Sequence, residues 1–291
     1  MDVEVKEFDK GIKNIVPEGA QIERIASGFG FTEGPLWCGD YLLFSDIPKN
    51  RIVRLDMYSY GPEVTTFRSP SGNANGLTLD PSGRLVACEG SARRMTRTEV
   101  DGTITVLAER YRGKRINAPN DVVARSDGSV YFTDPSFGET PKGKELTFNG
   151  VYQIAPDGEL VLLMDDCKMP NGLAFSPDES ILYVNDTRER HIRAFDVNPD
   201  GTVSSGRVFI KMEGDEPGSP DGMKVDTEGN VYCTGPGGIW VISPEGKALG
   251  SIKVPEMASN FAWGDSDWQT LYITARPSIY RVKLAVPGVA V

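Results

Sequence analysis

The sequence predicts an all-β protein: a six-bladed β-propeller of four-stranded antiparallel blades. Three observations lead there. A short apolar run closed by a small or polar pair recurs six times, a second strand with its own turn precedes each copy, and no long segment shows helical period. The recurring runs are LLFSD at 42–46, LVACE at 85–89, VYFTD at 130–134, LYVND at 182–186, VYCTG at 231–235 and LYITA at 271–275. Their ends lie 43, 45, 52, 49 and 40 residues apart, a blade-sized period. β-Branched and aromatic residues dominate them, as expected of strands packed on both faces.

The strand ahead of each run begins at Glu33, Asn75, Asn120, Asn171, Asp221 and Asn260. SG, DG, EG and PDE turn pieces join most of these strands to the runs, which is hairpin chemistry. Two further strands complete most units, for example GVYQIA followed by ELVLLMDD. The last unit ends at SIYRVKL with three evident strands. The expected fourth is QIERIAS at 21–27, which closes the ring and removes exposed sheet edges. The 291 residues therefore read as a single domain, with 1–19 as an N-terminal extension and 20–291 as the propeller.

Composition narrows the function. Lys plus Arg number 31 against 41 Asp plus Glu, a net charge of −10, which argues against nucleic acid or an anionic membrane as a partner. His191 is the sole histidine, so three-His zinc, two-His iron and HExxH sites are excluded. His191 opens a third strand and reads as structural, and no GxSxG elbow exists for it to serve. Cys38, Cys88, Cys167 and Cys233 are far apart and read as free thiols. MDVEVKEFDKG has no basic start followed by an apolar core, and no run of about 18 apolar residues follows, so a cytoplasmic protein is expected. The NDT at 185–187 matches a glycosylation sequon but reads as a strand end, and the four tryptophans read as blade packing.

The six strand-start residues are all carboxylates or carboxamides, and each lies 13 to 15 residues before the end of the following run. In a propeller the innermost strand lines the central channel, so these six side chains converge on the axis at one end. Asn and Asp also cap turns where strands begin, but six in register point to a polar site. Oxygen donors of mixed charge suit Ca²⁺, and suit Mg²⁺ or Mn²⁺ less well. Glu33 and Asp221 would neutralise a dication, with Asn side chains and water completing its shell. Pro119, Pro170 and Pro220 stiffen the approach to three of the positions.

GFTEGPLW at 30–37, NAPNDVVARSDGSVYFTDPSFG at 117–138, MPNGLAFSPDESILYVND at 169–186, PDGMKVDTEGNVY at 220–232 and LYITARPSIYRVKL at 271–284 resemble the gluconolactonase/senescence-marker-protein (regucalcin) family of six-bladed propellers. The resemblance covers the chain from about residue 20 and implies lactone-ring hydrolysis at a dication on the channel axis. It implies Glu33, Asn171 and Asp221 as ligands, Asn120 as a fourth, substrate-side contact, and Asp221 as general base. Asn75 and Asn260 join the ring by spacing alone. The resemblance implies Ca²⁺, with Mg²⁺, Mn²⁺ or Zn²⁺ as substitutes. Animal aldonolactonases of this family carry Arg two residues before the Asn120 position. Ala118 stands there, as in the bacterial and fungal lactonase branch, whose substrates vary.

The expected partner is a small lactone, and the expected state is a monomer or weak homo-oligomer. Substrate contacts are expected from the long loop at 135–149 and its flank, with Asp134, Phe137 and Glu139 as candidates beside Asn120, and Arg188 and Arg276 on neighbouring loops. Two rival readings remain on the residues alone: a calcium-dependent propeller phosphotriesterase, and a non-catalytic calcium-binding propeller.

Overall fold

Every inner strand carries apolar side chains on both faces, because it is covered by a blade on either side. The computed structural model, which describes residues 1–136, 143–204 and 206–290, resolves this demand as a ring of six antiparallel sheets. The first blade runs outward through Thr32–Trp37, Tyr41–Asp46, Arg51–Tyr58 and Gly61–Arg68, and the next three repeat its order. The fifth is built from Met223–Val225, Val231–Gly235, Gly238–Ile242 and Ala248–Ile252. In the sixth, Asn260–Gly264, Thr270–Ala275 and Ser278–Lys283 are joined on the outside by Ile22–Ser27, with Ile22 opposite Val282 and Ser27 opposite Ser278. The propeller and its ring closure are those the repeat predicts.

The N-terminal residues do more than precede the ring. Val5–Glu7 add a fifth strand to the outer edge of the fifth blade, and a 3₁₀ turn at Lys10–Asn14 follows. Ile12, Ile15 and Val16 are buried with Leu249, Ile252 and Trp263. A short apolar motif between polar residues gave no sign of that packing in advance.

The apolar core is divided among the blade interfaces. Six clusters of buried residues occupy them, one between each neighbouring pair. At the junction of last and first blades, Trp37 stacks on Tyr272 with ring centroids 5.0 Å apart. Stacking of this kind contributes about 0.5–1.5 kcal/mol beyond the area it buries. Cys88, Cys167 and Cys233 are buried and free, and Cys38 is half-buried and free. Among the described residues no helix is long and apolar enough to cross a membrane.

The polar pair ending each second strand has a mechanical role. The penultimate side chain clasps the next blade: Ser45 Oγ donates to the Asn75 carbonyl at 2.7 Å, Thr133 Oγ1 to that of Asn171 at 2.8 Å and Asn185 Nδ2 to that of Asp221 at 2.6 Å. The last residue, where it is aspartate, is buried and holds the chain leading into the inner strand. Asp186 accepts the main-chain N–H groups of Lys168 at 2.7 Å and Met169 at 3.2 Å, and Asp134 accepts that of Asn117 at 2.7 Å. Such bonds satisfy backbone groups that neither sheet supplies with partners.

Candidate active site

The residue after each ring position explains how the ring closes so tightly. Glu33, Asn75, Asn171 and Asp221 are each followed by glycine. Gly34 has φ +52°, and a Cβ there would lie 2.0 Å from the Asn75 carbonyl oxygen. At Gly172 a Cβ would lie 2.2 Å from the Asp221 carbonyl oxygen, to which its N–H donates at 3.0 Å. Neighbouring inner strands thus touch through main chain, and the ring side chains are left free to turn toward the axis.

Glu33, Asn120, Asn171 and Asn260 are buried, whereas Asn75 and Asp221 reach the surface in part. Glu33 Oε2 accepts the N–H of Gly34 at 2.7 Å and the Nδ2 of Asn260 at 3.1 Å. The Glu33 carboxyl is pushed up to about 7, first by burial and then by the charge of Asp121. The Asp221 residue is partly accessible. Burial, then the charges of Glu33 and Asp121, raise its carboxyl well above the usual carboxylate range, partly offset by the Asn171 amide. Negative charge has been concentrated where water cannot solvate it.

Asn171 has a fixed orientation. Its Nδ2 donates to Thr187 Oγ1 at 3.1 Å, and that hydroxyl donates onward to the Pro220 carbonyl at 2.7 Å. The amide plane is thereby held beside Asp221, whose proton affinity the same amide lowers. Asn185, fully buried, secures the Asp221 main chain and also reaches Cys233 Sγ at 3.4 Å. The apparent sequon is thus a bracket behind two ring residues. Asn260 turns its amide nitrogen to the acids, bonding Glu33 and, at 3.4 Å, Asp121 Oδ2, so it acts as a donor there. Asn75 Oδ1 is buried without a hydrogen-bond partner.

Two charged residues of the cluster had not been singled out from sequence. Asp121 occupies the third blade's counterpart of the glycine position, and Lys224 follows Asp221 by three residues, its Nζ 3.9 Å from Asp121 Oδ2. The visible signal was the broken pattern: a carboxylate where four other blades have glycine.

Asp134 is 0% exposed. One oxygen takes the Asn117 N–H at 2.7 Å, the other has no partner, and burial pushes the carboxyl up to about 7. Its contacts are those of the blade wall, matching the role of Asp186 in the next blade. Phe137 and Glu139 lie outside the described residues. Arg188 and Arg276 are exposed, and His191 is half-buried at a strand start with its proton affinity lowered by burial.

An apolar cavity of about 140 Å³ occupies the channel on the other side of the ring, lined by Leu36, Leu77, Leu173, Phe175, Val225 and Trp263 among others. Its lining is mostly apolar, with Thr78, Ser176, Glu179 and Lys224 as polar members.

The arrangement fits a hard dication. The donors are oxygens of carboxylates and carboxamides, one buried amide oxygen is orphaned, and the acids are short of positive charge. Among the described residues no group of three or more His, Cys, Asp or Glu forms a metal site by itself, so the amides are essential to any such shell.

Residues 31–276 match the SMP-30/Gluconolactonase/LRE-like region. The chain belongs to that family. A gluconolactonase of Zymomonas mobilis is 35% identical over 98% of this chain and 87% of its own. Regucalcin of Bos taurus is 31% identical, covering 83% of this chain and 82% of its own. Among solved structures, a gluconolactonase of Xanthomonas campestris superposes with a TM-score of 0.86 at 34% identity, over 96% of this chain and 94% of its own. Family membership agrees with the resemblance carried by the EGP, PND, PNG and PDG motifs.

Proposed function

We propose that this SMP-30/gluconolactonase/LRE-like propeller is a metal-dependent lactonase that opens a small cyclic ester. The observation carrying this reading is the convergence of two under-compensated acids, Glu33 and Asp221, with the Asn171 carboxamide, whose nitrogen is held by Thr187. The gluconolactonase relatives supply the reaction class.

Glu33, Asn120, Asn171 and Asp221 would hold the ion, Ca²⁺ by the hardness of the donors. When bound, it supplies polarisation of the lactone carbonyl and acidification of water. Asp221 accepts a proton from the attacking water on its carboxylate while the water oxygen bonds the carbonyl carbon. The ring C–O bond then breaks, and the alkoxide leaving group takes a proton to give the hydroxy acid. Asn171 and Thr187 keep the geometry fixed through the step, and Glu33 answers the ion's charge. Asn120 lies on the substrate side of the ring.

The test is chelation followed by readdition. Hydrolysis of a lactone panel falls to background after metal removal and returns with Ca²⁺, and Asp221→Asn loses at least about 10³-fold in kcat, the scale of a lost base and ligand together. Full turnover by a demonstrably metal-free enzyme would refute the reading.

A further inference from the structure

Between the polar ring and the apolar cavity stands one cation. Lys224 leaves the inner strand of the fifth blade with its side chain 23% exposed and its stem along the cavity wall. Its Nζ donates to the Met223 carbonyl at 3.1 Å and lies 3.9 Å from Asp121 Oδ2. Asp121 takes the N–H of Val122 on Oδ1 at 2.9 Å and the Asn260 amide on Oδ2 at 3.4 Å. The same amide reaches Glu33 Oε2 at 3.1 Å. A continuous polar chain therefore runs from Lys224 through Asp121 and Asn260 to the ring.

The charges count in a telling way. Glu33, Asp121 and Asp221 carry three negative charges when ionised, and Lys224 brings the total to minus two. A lysine placed against an apolar cavity loses hydration, a cost that favours it only where it answers buried negative charge. Its slender stem can pass along the apolar wall while the ammonium stays among oxygens. Neither Lys224 nor Asp121 is among the four ring residues assigned to the ion.

We propose that the Lys224 side chain forms the floor of the metal cradle, and that with Asp121 it sets the cradle's charge to match a dication. This inference rests on the metal-dependent reading above. Lys224 is a positioning residue: it touches neither substrate nor ion and acts through Asp121 and Asn260.

The experiment is calorimetric titration of the metal-stripped full-length protein with Ca²⁺, alongside thermal unfolding without metal. Removing the ammonium in Lys224→Met tightens Ca²⁺ binding at least about fivefold, because a like charge several ångströms from the ion is gone. Asp121→Asn weakens binding by about tenfold on the same argument. The double variant restores the net charge and returns to within about threefold of the wild type. Lys224→Arg keeps the wild-type affinity, and Lys224→Gln serves as a second neutral variant should the methionine protein fail to fold. Weaker or unchanged binding in the neutral variants, or no recovery in the double variant, overturns the inference while wild-type binding stands. A wild type that takes up no Ca²⁺ sinks the metal-dependent reading itself, and this inference with it.

Discussion

The two ends of the central channel are made by the same six strands yet obey opposite rules. At one end Glu33 and Asp221 raise each other's proton affinity among buried carboxamides, and the Asn75 amide oxygen lacks a partner. A few residues further along those strands, Leu36, Leu77, Leu173 and Val225 line an apolar cavity. The first end is electrostatically expensive and is braced from behind by Thr187, Asn185 and Thr133. The second is ordinary packing. On the proposed reading, function occupies the end where the fold tolerates unfavourable charge, while the other end is continuous with the apolar blade interfaces.

Mutations at the two ends should therefore separate stability from chemistry. Leu173 is buried in the interface between third and fourth blades. Leu173→Ala is expected to cost about 2–5 kcal/mol of stability, as large-to-small core changes do. Denaturant unfolding measures that loss, and the kcat of the folded fraction should stay near wild type. Thr187→Val keeps side-chain volume but removes the acceptor for Asn171 and the bond to Pro220. Supporting residues of this kind are worth about 10–100-fold in metal affinity or activity. That deficit should appear in Ca²⁺ titration with little change in unfolding midpoint. If Thr187→Val unfolds the protein as readily as Leu173→Ala, the division between the two ends fails.

How much of this was legible beforehand depended on periodicity. The six strand pairs, the ring closure by residues 21–27 and the convergence of Glu33, Asn75, Asn120, Asn171, Asp221 and Asn260 follow from one register repeated six times. What the repeat could not convey was direction. Asn171 and Asn260 hold equivalent positions, yet Asn171 gives its amide nitrogen to the Thr187 hydroxyl while Asn260 offers its nitrogen to the Glu33 carboxylate. That difference comes from partners on other blades, invisible in local spacing. Asn185 and Thr187 were hidden by reading NDT as a strand end. Asp121 and Lys224 were hidden because each occurs in one blade only. The role of Val5–Glu7 on the fifth blade depended on a pairing across most of the chain.

Asp134 offers the smallest and sharpest comparison, since it repeats the position of Asp186 with fewer partners. Asp186 accepts four main-chain N–H groups, from Lys168, Met169, Arg188 and Glu189. Asp134 is pushed up to about 7 by burial, with one oxygen unpartnered. An acid whose folded pKa exceeds its unfolded value binds its proton more tightly in the native state. Its contribution is then fully present below the unfolded value, 3.8, and is lost as pH rises toward about 7. Asp134→Asn keeps an acceptor for the Asn117 N–H and removes the ionisation. The variant should gain up to about 4 kcal/mol over wild type at pH 8 and almost nothing at pH 4, read as the difference between two unfolding curves. An equal effect at both pH values would mean that hydrogen bonding and not buried charge governs this carboxyl, and the contrast with Asp186 would lose its physical basis.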